Sequence, residues 1–183
     1  MDVKRGKPAY LGLLCAVAVL LGYVEALVPV FAAVPGMKLG LPNLAIVLVL
    51  YLYSWKEALV VSVIRIGINA LLFGNFFSFS FSLAGGLLSL AAMALVKRLD
   101  VLDQTGVSLV GGVAHNIGQI AVAILLVENA RIAYYFIPLA ITGLVAGVLI
   151  GLLSGVLIRR LGRVAPALSE SKEKGRNKTE PEK

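Results

Sequence analysis

His115, Asn116 and Gln119 stand together in the stretch Ala114-His115-Asn116-Ile117-Gly118-Gln119, inside an otherwise apolar run. Arg65 and Asn69 lie four residues apart in a second apolar run, one helical turn from each other. Between two further apolar runs, the loop Pro35-Gly36-Met37-Lys38-Leu39-Gly40-Leu41-Pro42-Asn43 carries a single cation, Lys38, and ends in Asn43. Arginine and lysine are donors suited to anionic groups, and side-chain amides both donate and accept. Together they supply the chemistry of recognition: holding and orienting a small charged or polar guest.

Reaction chemistry finds less support. With one histidine in the chain, bis-histidine haem ligation within it is impossible, and no Cys/His/carboxylate cluster has metal-ligand spacing. There is no phosphate-binding P-loop, so any ATP would be hydrolysed by a partner. The aspartates are Asp2, Asp100 and Asp103, which leaves no paired cluster to hold magnesium diphosphate and argues against a self-sufficient prenyltransferase. Ser78-Phe79-Ser80-Phe81-Ser82 is no nucleophile elbow and reads as the lead-in to a helix. No cofactor is implied, and the reading is of a protein that is not itself an enzyme.

The elements that position these residues follow from composition. Hydrophobic residues make up 59% of the 183 and charged residues 15%, with mean hydropathy +0.92. A soluble domain of this size cannot cover so much apolar surface. Runs able to cross ~30 Å of hydrocarbon recur from Pro8 to Ile158, which makes this an all-α, polytopic integral membrane protein. The lone Cys15 excludes a disulfide framework.

Breaks in hydropathy place six helices: Ala9–Leu27, a short Leu41–Tyr53, Glu57–Phe73, Phe81–Val96, Thr105–Val127 and Tyr134–Ile158. Asp103 or Thr105 is positioned to cap the fifth. The division is a cytoplasmic N-terminus (1–8), a six-transmembrane-helix bundle (9–158) and a basic, disordered cytoplasmic tail (159–183). Lys4, Arg5, Lys7, Lys56, Lys97, Arg98 and the tail from Arg159 flank one face, against Lys38 and Arg131 on the other. The positive-inside rule puts both termini in the cytoplasm and the Lys38 loop outside. The pI of 9.7 therefore reflects one membrane face, with basic residues near the lipid bilayer, and not a nucleic-acid partner.

By helix rise, Arg65 lies ~12 Å, His115 ~15 Å and Gln119 ~21 Å from the inner boundary. A charge at such depth is unfavourable by roughly 2.5–3.5 kcal/mol, enough to require a partner or a wet cavity. Matched depths predict one shared polar cavity. The same residues also suit the bland role of interhelical ties. Glu25, ~26 Å up, is read as too high to reach Arg65 and better placed to pair with Lys38. Small residues four apart, Gly12/Ala16 and Ala18/Gly22/Ala26 in the first helix and Gly143/Gly147/Gly151/Gly155 in the last, allow close helix approach.

Three strings give the chain a resemblance: "PGMKLGLPN", "SLAGGLLS" and "AHNIGQ". Over roughly Leu11 to Ile158 it resembles the bacterial Gx transporter family, also labelled heptaprenyl diphosphate synthase component I, with Pro42 where a small residue is usual. That family is similar to the substrate-binding S-components of energy-coupling-factor transporters. The resemblance implies a multi-pass protein of the bacterial cell membrane that captures a small anionic or amphipathic metabolite. It also implies a transmembrane coupling subunit, driven by cytoplasmic ATPases, as partner. Lys38 and Asn43 would belong to a capping loop, and Gly12, Ala16 and Ala18 to the docking face. Arg65 and Asn69 depart from S-component pockets, which draw mainly on later helices. The label's own implication is the alternative: a non-catalytic component of heptaprenyl diphosphate synthesis. A membrane partner of flavin or electron-transfer machinery is a third reading.

Overall fold

The computed structural model describes residues 3–27, 40–73 and 76–164. Their regular structure is entirely helical: α1 (Val3–Leu27), α2 (Asn43–Leu52), α3 (Trp55–Phe73), α4 (Phe76–Leu99), α5 (Gln104–Val127), a 3-10 helix (Ala130–Tyr135) and α6 (Phe136–Val164). Four of them, Lys7–Leu27, Phe76–Leu99, Gln104–Leu126 and Phe136–Leu161, are long and apolar enough to cross a membrane. The chain is a helical membrane protein.

Six α-helices are present as the hydropathy breaks predict, but they are not six equal crossings. The 10 residues of α2 rise about 15 Å, half the hydrocarbon thickness. Its start is cut back to Asn43 because Leu41 and Pro42 form a turn, and its last helical residue is Leu52. Apolar on every side, α2 is buried on every side, as such helices are. Ala45 to Leu50 are all buried, and Ile46, Val47, Val49 and Leu50 pack with Ala58 and Val61 of α3, Leu90 and Met93 of α4, Val107 of α5 and Ile150 of α6.

Other boundaries move outward. α4 begins at Phe76 because the serine-phenylalanine stretch is itself helical, with Ser80 Oγ donating to Phe76 O at 2.9 Å. Asp103 does cap α5, its side chain accepting from Gly106 N at 2.8 Å. α6 continues through Arg159 and Arg160 to Val164, so the basic segment from 159 starts as helix, and residues 165–183 lie outside the described residues.

Antiparallel α4, α5 and α6 pack through glycine. A Cβ on Gly112 would lie 2.3 Å from Gly143 O, one on Gly147 2.7 Å from Leu109 Cα, and one on Gly151 2.7 Å from Thr105 Cα. Lipid gives no hydrophobic drive for helices to associate, so this close backbone contact is what binds α6 to α5. α1 is the outlier: among Lys7–Leu27 only Ala18 is buried. It is tied at one end by Lys7 Nζ to Glu57 Oε1 at 2.6 Å. Near that end Lys97 Nζ donates to Leu50 O and lies 4.6 Å from the Tyr51 ring centroid, so basic residues gather at one end of the bundle.

Candidate functional site

The site is built at the start of α2. Gly40 adopts φ +76°, a left-handed conformation that favours glycine, and turns the chain so that Asn43 N donates to Gly40 O at 2.8 Å. Pro42 sits at φ −60°, already helical, which pre-sets the first turn of α2. Gly40 N donates to Glu25 Oε1 of α1, tying this turn to the first helix. Asn43 thereby faces α3, where it accepts from Arg65 Nη2 at 3.2 Å. Arg65 is only 6% exposed.

Around this contact a cavity of about 200 Å³ opens between α1, α3, α4 and the turn before α2. Its walls include Glu25, Asn43, Arg65, Asn69, Ser82 and His115. Leu27, Phe73 and Phe76 mark the end of the bundle it faces, opposite the end where Lys7, Glu57 and Lys97 gather. Two buried atoms of these residues, Arg65 Nε and Asn69 Oδ1, have no hydrogen-bond partner among the described residues. Leaving such groups unpaired costs roughly 1–3 kcal/mol each, more when charged, so the arrangement suits a wet or occupied cavity.

Four of the seven candidate binding residues, Asn43, Arg65, Asn69 and His115, are brought together here. Asn116 is not. Its Nδ2 donates to Leu139 O of α6, on the far side of α5. Neighbouring helical residues point about 100° apart, and Asn116 serves as an interhelical tie. Asn116 borders a smaller void of about 20 Å³, room for about one water, whose lining also includes Gly40, Asn43 and His115. Gln119 does share the His115 face. Both press on Gly85 of α4, where an added Cβ would lie 2.9 Å from His115 Cε1 and 3.0 Å from Gln119 Cγ. Neither polar atom of Gln119 has a partner among the described residues, yet it lies outside the cavity wall. Lys38 is outside the described residues, and so is its expected pairing with Glu25.

Glu25 is a wall residue that the height arithmetic set apart from Arg65. It lines the same cavity as Arg65 and acts on it electrostatically. The Glu25 carboxylate accepts from Gly40 N at the turn that precedes α2. Its signal was present in the sequence, since a carboxylate within an apolar span is itself costly. Ser78 and Ser82 were also missed as wall residues, though four residues apart they share one helical face.

The small residues of α1 divide in the same way. Gly12 and Ala16 are exposed on the floor of an apolar groove of about 980 Å³ between α1 and α3. A Cβ on Gly12 would meet nothing within 4 Å. Ala18 is 0% exposed and belongs to the interior. Two residues on from Ala16 is a turn of about 200°, which puts Ala18 on the opposite side of the helix and removes it from the docking face. Gly22, on the inner side with it, packs against the Asn69 amide.

Among the described residues no group of three or more His, Cys, Asp or Glu could hold a metal ion. Comparison with family models matches residues 14–157, from the first helix to the last, to the family described as heptaprenyl diphosphate synthase component I. Comparison with curated proteins and with solved structures gave no match.

Proposed function

Because the chain belongs to the heptaprenyl diphosphate synthase component I family, we propose that it is a non-catalytic membrane subunit whose cavity captures a small ligand bearing an anionic group, for uptake. The observation that carries this reading is Arg65. It is buried, held by Asn43 through Nη2, and lines a polar cavity that also carries Asn69 and His115. A volume of about 200 Å³ is the share of about seven water molecules, so the guest is small. With the basic end cytoplasmic, the cavity lies in the outer half of the bundle, and Lys38 would stand in the outer loop before it. The exposed floor at Gly12 and Ala16 supports the α1–α3 groove as the strip on which a membrane coupling subunit docks.

Native mass spectrometry of the protein released from mild detergent tests the reading. The wild type should carry a small-molecule adduct, and Arg65→Met should fold, remain monodisperse and lose it. An identical adduct on both proteins removes Arg65 from the site. The family's description favours a second reading, an accessory component of heptaprenyl diphosphate synthesis. Here the cavity would admit a polar head but not a polyprenyl chain. Stable co-purification with a prenyl synthase subunit, and not with transporter ATPases, would favour it.

A further inference from the structure

Among the described residues, Arg65 on α3 and Glu25 on α1 are the cation and the anion on the wall of this cavity. Neither is idle. Arg65 donates to Asn43, Glu25 accepts from Gly40 N at the turn before α2, and the carboxylate acts electrostatically on the guanidinium. The wall is therefore in charge balance before any guest arrives. That balance bears on what must accompany an anionic guest.

An added anion meets a cation that is already offset, and it shares a small space with the Glu25 carboxylate. A compact volume of about 200 Å³ is about 7 Å across, less than the ~8 Å over which physiological salt screens charge. Two like charges so close in a low-dielectric setting favour protonation of one of them. Building on the proposed capture of an anionic group, we infer that the guest enters together with one proton, which Glu25 takes up. One negative charge and one proton both come from the outer solution, and the cavity stays as neutral as it began. The carboxyl holds the proton on one oxygen and keeps the other as acceptor for Gly40 N, so the turn that presents Asn43 to Arg65 is preserved.

The groups that face Glu25 leave one competitor for the proton. From α3, Arg65 stays charged. α4 contributes Ser78 and Ser82, and the turn before α2 a backbone N–H, none of which titrates. On α1 itself, Tyr23 stacks on Phe73 and is not part of the wall. From α5 comes His115, which can take a proton. Glu25 has precedence because it and the guest compete for the same cation. A proton on Glu25 removes their repulsion at its source, whereas one on His115 leaves the two anions facing each other.

The test uses the full chain in lipid nanodiscs and isothermal titration with L-lactate, pyruvate and methanesulfonate. Each probe keeps its single charge from about pH 5.5 to about pH 8, so any pH dependence belongs to the protein. Repeating each titration in buffers of different ionisation enthalpy counts the protons taken up. At least one probe should bind tenfold or more tightly at about pH 5.5 than at about pH 8, with uptake approaching one proton per anion between them. Glu25→Gln keeps an acceptor oxygen for Gly40 N and loses the charge. It should bind at about pH 8 as tightly as wild type does at about pH 5.5, with no proton uptake. In His115→Gln, whatever its affinity, one proton should still accompany the anion. Proton uptake that persists in Glu25→Gln, or vanishes in His115→Gln, overturns the assignment to Glu25. Wild-type binding with no proton uptake overturns the coupling without recourse to any variant, and leaves the anion-capturing cavity standing. If binding of that kind is lost in Lys38→Ala, the compensating charge is that lysine. Silence from all three probes at both pH values overturns the capture reading, and the proton with it.

Discussion

Gly112→Ala and Gly155→Ala make the same chemical change, glycine to alanine, in the α5–α6 pair, and should move stability in opposite directions. At Gly112 the new methyl would lie 2.3 Å from Gly143 O and 3.1 Å from Gly143 C, both backbone atoms that cannot rotate away. Ordinary contact begins near 3.4 Å, so α5 and α6 must part by about 1 Å at this point. Overpacking of this kind costs about 1–3 kcal/mol. Parting the helices also stretches the Asn116–Leu139 hydrogen bond, whose loss leaves a buried amide unpaired at about 1–3 kcal/mol. At Gly155 the nearest atom to an added methyl is Gln104 Nε2 at 3.6 Å, ordinary contact. There alanine gains about 0.8–1 kcal/mol of helix propensity and loses nothing. At about 2–4 °C per kcal/mol, Gly112→Ala should melt about 4–24 °C below wild type and Gly155→Ala about 2–4 °C above it. Scanning fluorimetry in mild detergent, following Trp55, reads both. If Gly112→Ala melts with the wild type, or if Gly155→Ala falls as far as Gly112→Ala, the glycine ladder is not what holds α6.

The two faces of α1 give a second pair. Ala18→Trp, in the interior, should prevent a stable fold, while Ala16→Trp, on the groove floor, should melt as wild type and fail to co-purify with a membrane partner; intact complexes would clear the groove of a docking role. Lys38→Ala should weaken ligand binding by tenfold or more, about 1.4 kcal/mol, chiefly through faster dissociation. Equal affinity across ionic strengths would make that lysine an interfacial anchor only. In a Cys15→Ser background, single cysteines at Lys4, Val34, Lys56, Asn75, Leu102 and Asn129 should label alternately from the two sides of the membrane, starting inside. External labelling at Leu102 would overturn a topology with both ends cytoplasmic.

The long helices were legible because a run of some twenty apolar residues has few other solutions. The short α2 was legible to within two residues at its start and one at its end, but not the turn over Gly40 to Pro42 that sets that start. Arg65 shows the division clearly. Its need for a partner follows from the cost of a buried charge, but its partner, Asn43, lies 22 residues away across a turn set by Gly40. Ala18 is a different kind of miss. The angular step of a helix separates Ala18 from Ala16, and that arithmetic needed no structure. Gln119 was placed correctly beside His115, but only the position of Gly85 shows that the pair looks into α4.

The shortness of α2 bears on how the protein enters the membrane during synthesis. A helix of about 15 Å cannot stand across the bilayer as an independent unit, and α3 arrives with Arg65 unshielded until something covers it. Each supplies what the other lacks. Asn43 opens α2, and Arg65 is reached by α3 only 22 residues later, so a tight helical hairpin brings the amide to the guanidinium before α4 exists. The two segments should therefore leave the insertion machinery together, and the contact that later lines the cavity first serves to carry a charge into the lipid.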